Sequence, residues 1–293
     1  MKNVINYYYG FNISNIYQVN GTYYFSYLNN KYILKEYDRE PNEIYRLFTL
    51  NSILIKSNNF FHKIILTNSN VPYINVNNKI YVLIKLSNVI NDKISIYDIT
   101  GIKINVTKEL SSLVFSDWYN LWIRKIDYLE YKIEHIETNK KIIPIYYFFI
   151  GLSENAVSLV KNSFNKYKTS SDDLVINHRR LDVNMNIIDY YMPLDLVIDH
   201  KTRDISEYIK SSIVNNTFDY NLLDEYLNYA NLSEYGYSHL MARVLFPTFF
   251  YDNLENYDYL YNFNISKYMS YLKDVYYIIK NRSNIDSIDW LEK

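Results

Sequence analysis

The sequence predicts an α+β chain in two lobes: a small antiparallel β lobe carrying one helix over residues 1–96, and a larger, mostly helical lobe over residues 97–293. Three observations predict it. Strand-like runs separated by Asn-Asn pairs dominate the first third. The apolar spacing then changes to three- and four-residue steps after about residue 97. Inside the helical part, one short interval returns to strand-like runs that end in polar clusters.

The first strands are Thr22–Leu28 and Lys31–Glu36, rich in Tyr, Phe and Ile and joined at Asn29-Asn30. Asparagine tolerates the positive φ of a tight hairpin. The same device recurs at Asn77-Asn78, between Val71–Val76 and Lys79–Lys85. Between the hairpins, Pro41–Leu54 reads as a helix, with proline at its start and Ile44, Leu47, Phe48 and Leu50 giving it an apolar side. In the second lobe, Trp118, Leu121, Trp122, Ile126, Leu129, Ile133 and Ile136 form the stripe of a long amphipathic helix. Tyr268, Tyr271, Leu272, Val275, Ile278 and Ile279 repeat it near the C-terminus. The strand-like interval is Leu174–Asp199, where Leu174-Val175-Ile176 and Leu196-Val197-Ile198 each lead into polar residues.

Composition narrows the classes. Cysteine is absent, which removes disulfides, thiolate metal sites and cysteine nucleophiles together. The 31 basic and 32 acidic residues nearly cancel, so the broad positive field of a nucleic-acid binder is not expected. The N-terminus lacks the pattern of a signal peptide, and the longest apolar run, Ile142–Leu152, is short for a bilayer and contains Pro144. The expectation is a soluble protein, synthesised in the cytoplasm, not secreted and not inserted in a membrane. The 35 tyrosines accompany abundant Asn, Ile and Lys, all with A/T-rich codons, so genome composition explains much of the skew.

The segment Leu174-Val-Ile-Asn-His-Arg-Arg-Leu-Asp182, then Leu196-Val-Ile-Asp-His200 and Arg203-Asp204-Ile-Ser-Glu-Tyr-Ile209, resembles the catalytic and metal-binding loops of aminoglycoside/choline phosphotransferase-like kinases. Within that group it is similar to the bacterial spore-coat-associated members of the CotS and YutH type, found in Firmicutes. Ile150–Ala156 and Trp118–Tyr131 look similar to that group too. The resemblance implies a protein-kinase-like two-lobed fold, in agreement with the pattern of elements.

In active members of the group the catalytic loop reads His-Gly-Asp, with an Asn five residues after the Asp. The Asp takes the substrate hydroxyl proton, and the Asn and a later Asp hold Mg²⁺. Carried onto His178-Arg179-Arg180, the base becomes Arg180 and the Asn position becomes Met185. A guanidinium accepts no proton, and a thioether is no ligand for a hard cation. A slipped alignment would offer Asp182 as the base, at the expense of the His178 anchor. Asp199 falls at the metal position, as a retained metal or nucleotide contact or as a carboxylate capping a strand end. Arg203 and Asp204 read as structural, an ion pair or helix cap that fixes the loop.

For nucleotide, the first lobe would have to supply Lys35 paired with Glu43; an outward lysine on an alternating strand is the competing reading. Gly10 and the Asn20-Gly21 turn are the only glycines there, too few for a tight phosphate cradle. The five histidines show no metal spacing, and His178 and His200 read as hydrogen-bonding groups. Ser153-Glu154-Asn155 lacks the glycines of a nucleophile elbow and reads as a helix N-cap. The expectation is a catalytically degraded, pseudokinase-like protein of the spore coat or of spore morphogenesis, needing no cofactor and binding other proteins, including coat components. The alternative is an active small-molecule or protein kinase, or nucleotidyl transferase, using Asp182 and Asp199 with ATP and Mg²⁺.

Overall fold

The computed structural model describes residues 1–89, 92–99, 101–115, 117–135, 142–167, 172–254, 256 and 260–292. The chain forms two compact units. The first comprises Met1–Ile94, Asn105–Val114 and Asn184–Val197; the second comprises Ser95–Ile104, Phe115–Val183 and Ile198–Lys293. The first unit thus draws on two segments that lie beyond residue 96.

The first unit is built on an antiparallel sheet. Its strands are β1 (Tyr17–Val19), β2 (Thr22–Tyr27), β3 (Asn30–Tyr37), β4 (Lys63–Ile64), β5 (Ile74–Val76) and β6 (Lys79–Lys85), in the order β1-β2-β3-β6-β4 with β5 also on β6. The first hairpin closes one residue earlier than its sequence predicts. Tyr27 pairs with Asn30, so Leu28 and Asn29 take the two positive-φ positions, and the Asn30 amide donates to the Leu28 carbonyl. Asn77-Asn78 turns as expected, closing Val76 on Lys79.

Alternation along β3 and β6 sends Tyr32, Leu34, Tyr81 and Leu83 to one face. There they join Ile5 and Tyr9 of α1 (Lys2–Tyr9), a helix with no counterpart in the sequence reading. Helix α2 (Pro41–Ser57) buries Ile44, Leu47, Leu50 and Leu54. It is pinned to β4 by Asn51, whose amide donates to the His62 carbonyl and accepts from Ile64 N–H.

The second unit is mostly helical. It contains α3 (Trp118–Glu134), α4 (Ile143–Lys166), α6 (Thr202–Val214), α7 (Tyr220–Ala230), α8 (Glu234–Leu245), α9 (Thr248–Asp252), α10 (Ile265–Lys280) and α11 (Asp289–Glu292), while α5 (Ile187–Tyr190) belongs to the first unit. Strands β7 (Leu174–His178) and β8 (Leu196–His200) form a separate two-stranded sheet, and the chain passes from one unit to the other within β8.

The predicted stripe of α3 is buried at Trp118, Trp122, Ile126, Leu129 and Ile133; Ile136 lies outside the described residues. By length and composition α4 would be able to cross a bilayer. In this fold it packs against α3 and α8 and buries Tyr146, Phe149, Leu152, Ala156 and Val160. Pro144 starts this helix rather than breaking the apolar run, because the first turn needs no N–H from it.

Ser153 sits inside α4 and is not an N-cap. Its hydroxyl donates to the Phe149 carbonyl and accepts from the Tyr251 hydroxyl. Aromatic rings fill the space beside α4, with Phe149 stacked on Phe250 at 4.1 Å and Trp122 on Phe246 at 4.3 Å. The tyrosines divide between core positions such as Tyr146 and Tyr276 and surface positions such as Tyr7 and Tyr229.

One buried histidine ties the first unit's loops together. His62 Nδ1 accepts from Ser87 N–H at 3.0 Å and Nε2 donates to the Ile188 carbonyl at 2.9 Å, which fixes the neutral tautomer. Burial lowers its pKa to about 4. The neutral form belongs to the fold, so its stabilisation is full above pH 6.5 and is lost as pH falls towards 4. At a little over one kcal/mol per pKa unit, the loss approaches roughly 3 kcal/mol. Denaturant titrations at successive pH values should show this acid limb, and a His62→Gln variant should flatten it. Some slope should remain, because burial, then Arg243 and His200, lower the His239 pKa with the same sign.

Candidate functional site

In the second unit, the segment His178–Val183 is held by a network that starts at the end of β7. The buried Asn177 side chain donates to the carbonyls of Val175 and Asp199 and accepts from Asp204 N–H at 3.2 Å. Asp204, in the first turn of α6, accepts from His178 N–H at 2.9 Å and pairs with His178 Nδ1 at 2.7 Å. Arg203 donates Nε to the His178 carbonyl, Nη2 to the Arg179 carbonyl and Nη1 to Asp199 Oδ2 at 2.8 Å, with its guanidinium over the Phe115 ring. These two neighbours at the start of one helix therefore fix the loop backbone from both sides.

Asp199 is 3% exposed and its carboxylate is fully engaged. Besides Arg203, it accepts from Arg243 Nη2 at 2.9 and 3.0 Å and from His200 N–H at 2.7 Å. Arg243 reaches it from α8, lies over the Trp118 ring at 4.8 Å and is 4% exposed. Two guanidinium charges thus surround one carboxylate, and this buried trio carries a net positive charge. A Mg²⁺ ion seeks several oxygen ligands in octahedral order. Here it would have to displace a guanidinium from each carboxylate oxygen and add two positive charges beside the other. The residues around Asp199 do not fit Mg²⁺.

The network extends away from Asp199 with a definite direction. Arg243 Nε donates to His239 Nε2 at 3.3 Å, so His239 is neutral there and carries its proton on Nδ1, facing Thr202 Oγ1 at 3.3 Å. Thr202 N–H and hydroxyl both lie against His200 Nδ1, which leaves the His200 proton on Nε2, 3.3 Å from Asp172 Oδ2. Burial pushes the Asp172 pKa up, but hydrogen bonds from His200 and Ser233 outweigh it and hold this carboxyl well below the usual range. Gly236 makes room for it, since a Cβ there would lie 2.3 Å from Asp172 Oδ2.

The remaining loop residues sit apart from Asp199. Arg180 is exposed and bonds Asp252 at 3.0 Å. Asp182 is exposed and accepts from the Ser211 hydroxyl at 2.7 Å, while Ser211 Oγ accepts from Val183 N–H, so this carboxylate helps seat the loop on α6. In the first unit, Met185 contributes its carbonyl to Ile94 N–H.

The Lys35–Glu43 pair expected there is replaced by two others. Lys35 lies 3.4 Å from Asp195, beside Arg39, and Glu43 accepts from the Tyr37 hydroxyl at 2.7 Å. Tyr37, two residues further along β3, reaches the helix carboxylate first, and the Pro193–Asp195 turn brings Asp195 to the lysine. Gly10 ends α1 in the left-handed region, and Gly21 completes the two-residue β1–β2 turn. A Cβ at Gly21 would meet nothing within 4 Å, so backbone conformation alone calls for glycine there.

Arg243, His239 and Asp172 escaped the sequence reading. The signal was present: His239 and Arg243 stand one helical turn apart among Leu240, Met241, Val244 and Leu245. A charge within such an apolar stretch needs a buried partner. Among the described residues, no cluster of three or more metal-ligating side chains occurs.

The profile of the family described as spore coat putative kinase YutH matches residues 2–286. The chain belongs to this family. The endospore coat-associated protein YutH of Bacillus subtilis (strain 168) is 31% identical over 157 residues, 48% of this chain and 46% of that relative, so the match spans about half the relative's length. Among solved structures, an aminoglycoside phosphotransferase from Alicyclobacillus acidocaldarius superposes with a TM-score of 0.69 at 10% identity, covering 96% of this chain and 97% of that one. A spectinomycin phosphotransferase solved with ADP and spectinomycin gives 0.61 at 13%, covering 95% and 96%. At such identities the likeness establishes the fold, the kinase-like phosphotransferase fold that the loop motifs imply.

Replacing Arg243 with Met should leave Asp199 buried and under-compensated, at a cost of about 3 kcal/mol in urea denaturation. Adding Asp199→Asn to that variant should return part of the loss, because the neutral amide no longer requires a second cation.

Proposed function

We propose that this YutH-family chain is a non-catalytic member of the kinase-like fold, a pseudokinase that serves as a structural or interaction protein of the spore coat or of spore morphogenesis. The observation that carries this reading is the saturation of Asp199 by Arg203 and Arg243. Arg180 at the base position, Met185 at the second ligand position and the sparse glycines of the first unit support it. The name of the Bacillus subtilis relative supports the coat context; synthesis in the cytoplasm, deposition in the coat and other coat proteins as partners complete the proposal. A second reading makes Asp182 the base of an active kinase, and its exposed position favours that alternative.

One pair of measurements separates the two. With millimolar Mg·ATP the melting temperature should stay unchanged, whereas a nucleotide present at 100 times its Kd would stabilise the fold by about 2.7 kcal/mol. Transfer of labelled γ-phosphate to water, small alcohols or protein should be absent. Mg²⁺-dependent transfer that vanishes in Asp182→Asn would overturn the proposal in favour of the kinase.

A further inference from the structure

The two sides of the first unit's sheet end differently. On one side lie β4 and β5, both paired to β6, where Lys63 stands opposite Lys85 and Lys79 closes the β5–β6 turn. Lysine at a sheet edge is a common protection against pairing with another chain. On the other side the sheet ends in β1, and its three residues, Tyr17, Gln18 and Val19, are all exposed, Tyr17 at 63%. Nothing charged protects this edge. Residues 3–30 contain no Asp, Glu, Lys, Arg, His or Pro, in a chain of which 22% is charged.

Hydrogen-bond geometry gives the edge a register. The Asn20-Gly21 turn makes Val19 and Thr22 a hydrogen-bonded pair. By alternation Tyr17 and Tyr24 are the next such pair, and Gln18 between them turns its N–H and C=O away from β2. Among the described residues, no hydrogen bond uses the backbone of Ile16, which precedes the strand. On one face of the hairpin the Tyr17 and Tyr24 rings stack at 5.3 Å, 12° from parallel.

We infer that β1 pairs antiparallel with β1 of a second copy of this chain, across a two-fold axis at Tyr17. In that register Gln18 of each copy lies opposite the partner's Ile16, and the outward N–H and C=O of Gln18 are both taken up. The partner's Tyr17 falls directly opposite Tyr17, in the closer, non-hydrogen-bonded kind of pair. The stack of Tyr24 on Tyr17 thereby extends into a row of four rings. A second copy suits this edge because the uncharged segment repeats on both sides, so no like charges meet, and because only a copy places a tyrosine at the centre of the row. The contact is isologous and consumes the edge in both chains, so pairing ends at two. It concerns a sheet edge and not the network around Asp199, so it stands or falls separately from the non-catalytic reading.

The test follows the full chain by sedimentation equilibrium and light scattering from low micromolar to millimolar concentration, where a reversible monomer–dimer equilibrium is expected. Tyr17→Lys and Tyr17→Glu each set like charges across the axis, so each alone should lose the dimer while keeping the melting temperature of dilute wild-type protein. An equal mixture of the two variants should regain it, because lysine then faces glutamate. Hydrogen exchange on the unaltered chain gives a second readout: the Gln18 N–H should exchange more slowly at dimeric than at monomeric concentration. Four results would each overturn the inference: a wild-type chain that stays monomeric throughout, a dimer that persists in both variants, a mixture that stays monomeric, or Gln18 exchange that does not change with concentration.

Discussion

A carboxylate taken almost entirely out of water must be given charge and hydrogen bonds in return, and around Asp199 both come from arginine. Arg203 arrives from the next helix in sequence and Arg243 from a helix forty residues later, each stacked on an aromatic ring, Phe115 and Trp118. Guanidinium suits this role because it is planar, permanently charged and only weakly hydrated. Once Arg243 is committed, His239 must present a bare nitrogen to it, and the tautomers of His239 and His200 follow in turn down to Asp172. A single ionic requirement at the end of β8 thereby orders side chains on β8, α6 and α8 and in the segment before β7.

The loop that precedes β8 is fixed by different atoms. Asp204 holds His178 by backbone and ring, and Arg203 holds the carbonyls of His178 and Arg179. Both contacts are made entirely by groups of the protein. Shape and chemistry are therefore separable here: the scaffold depends on residues at the start of α6, and a change at Arg180, exposed and bonded to Asp252, leaves that scaffold untouched. This separability lets the loop keep its backbone course whatever side chain stands at position 180.

Much of the architecture could be read from the chain because local signals agreed with tertiary demands. The Asn77-Asn78 turn, the proline start of α2 and the stripe of α3 each identify one element and its buried face. The first hairpin slipped by one residue because Leu28, a poor candidate for positive φ, is overruled by cross-strand pairing of β2 with β3. Helix α1 was missed because its buried residues, Ile5 and Tyr9, sit among tyrosines that obscure the period. At the site, the roles of Arg203 and Asp204 were legible from their position after β8. The partner of Asp199 was not, since Arg243 is remote in sequence and only the packing of α8 on α6 brings it near. The Lys35–Glu43 expectation failed for a related reason: competing partners, Tyr37 and Asp195, were nearer.

The doubly bonded Asp199 also constrains which substitutions this chain tolerates. Losing either arginine leaves Asp199 under-compensated, and losing the aspartate leaves two buried guanidinium groups with only Glu207, already paired with Lys210, as a nearby counter-charge, so each single change at this site weakens the protein. Placing a divalent cation on Asp199 would demand coordinated substitutions at Arg203 and Arg243, because each guanidinium already occupies the carboxylate. The site is therefore cheap to keep and costly to alter one residue at a time.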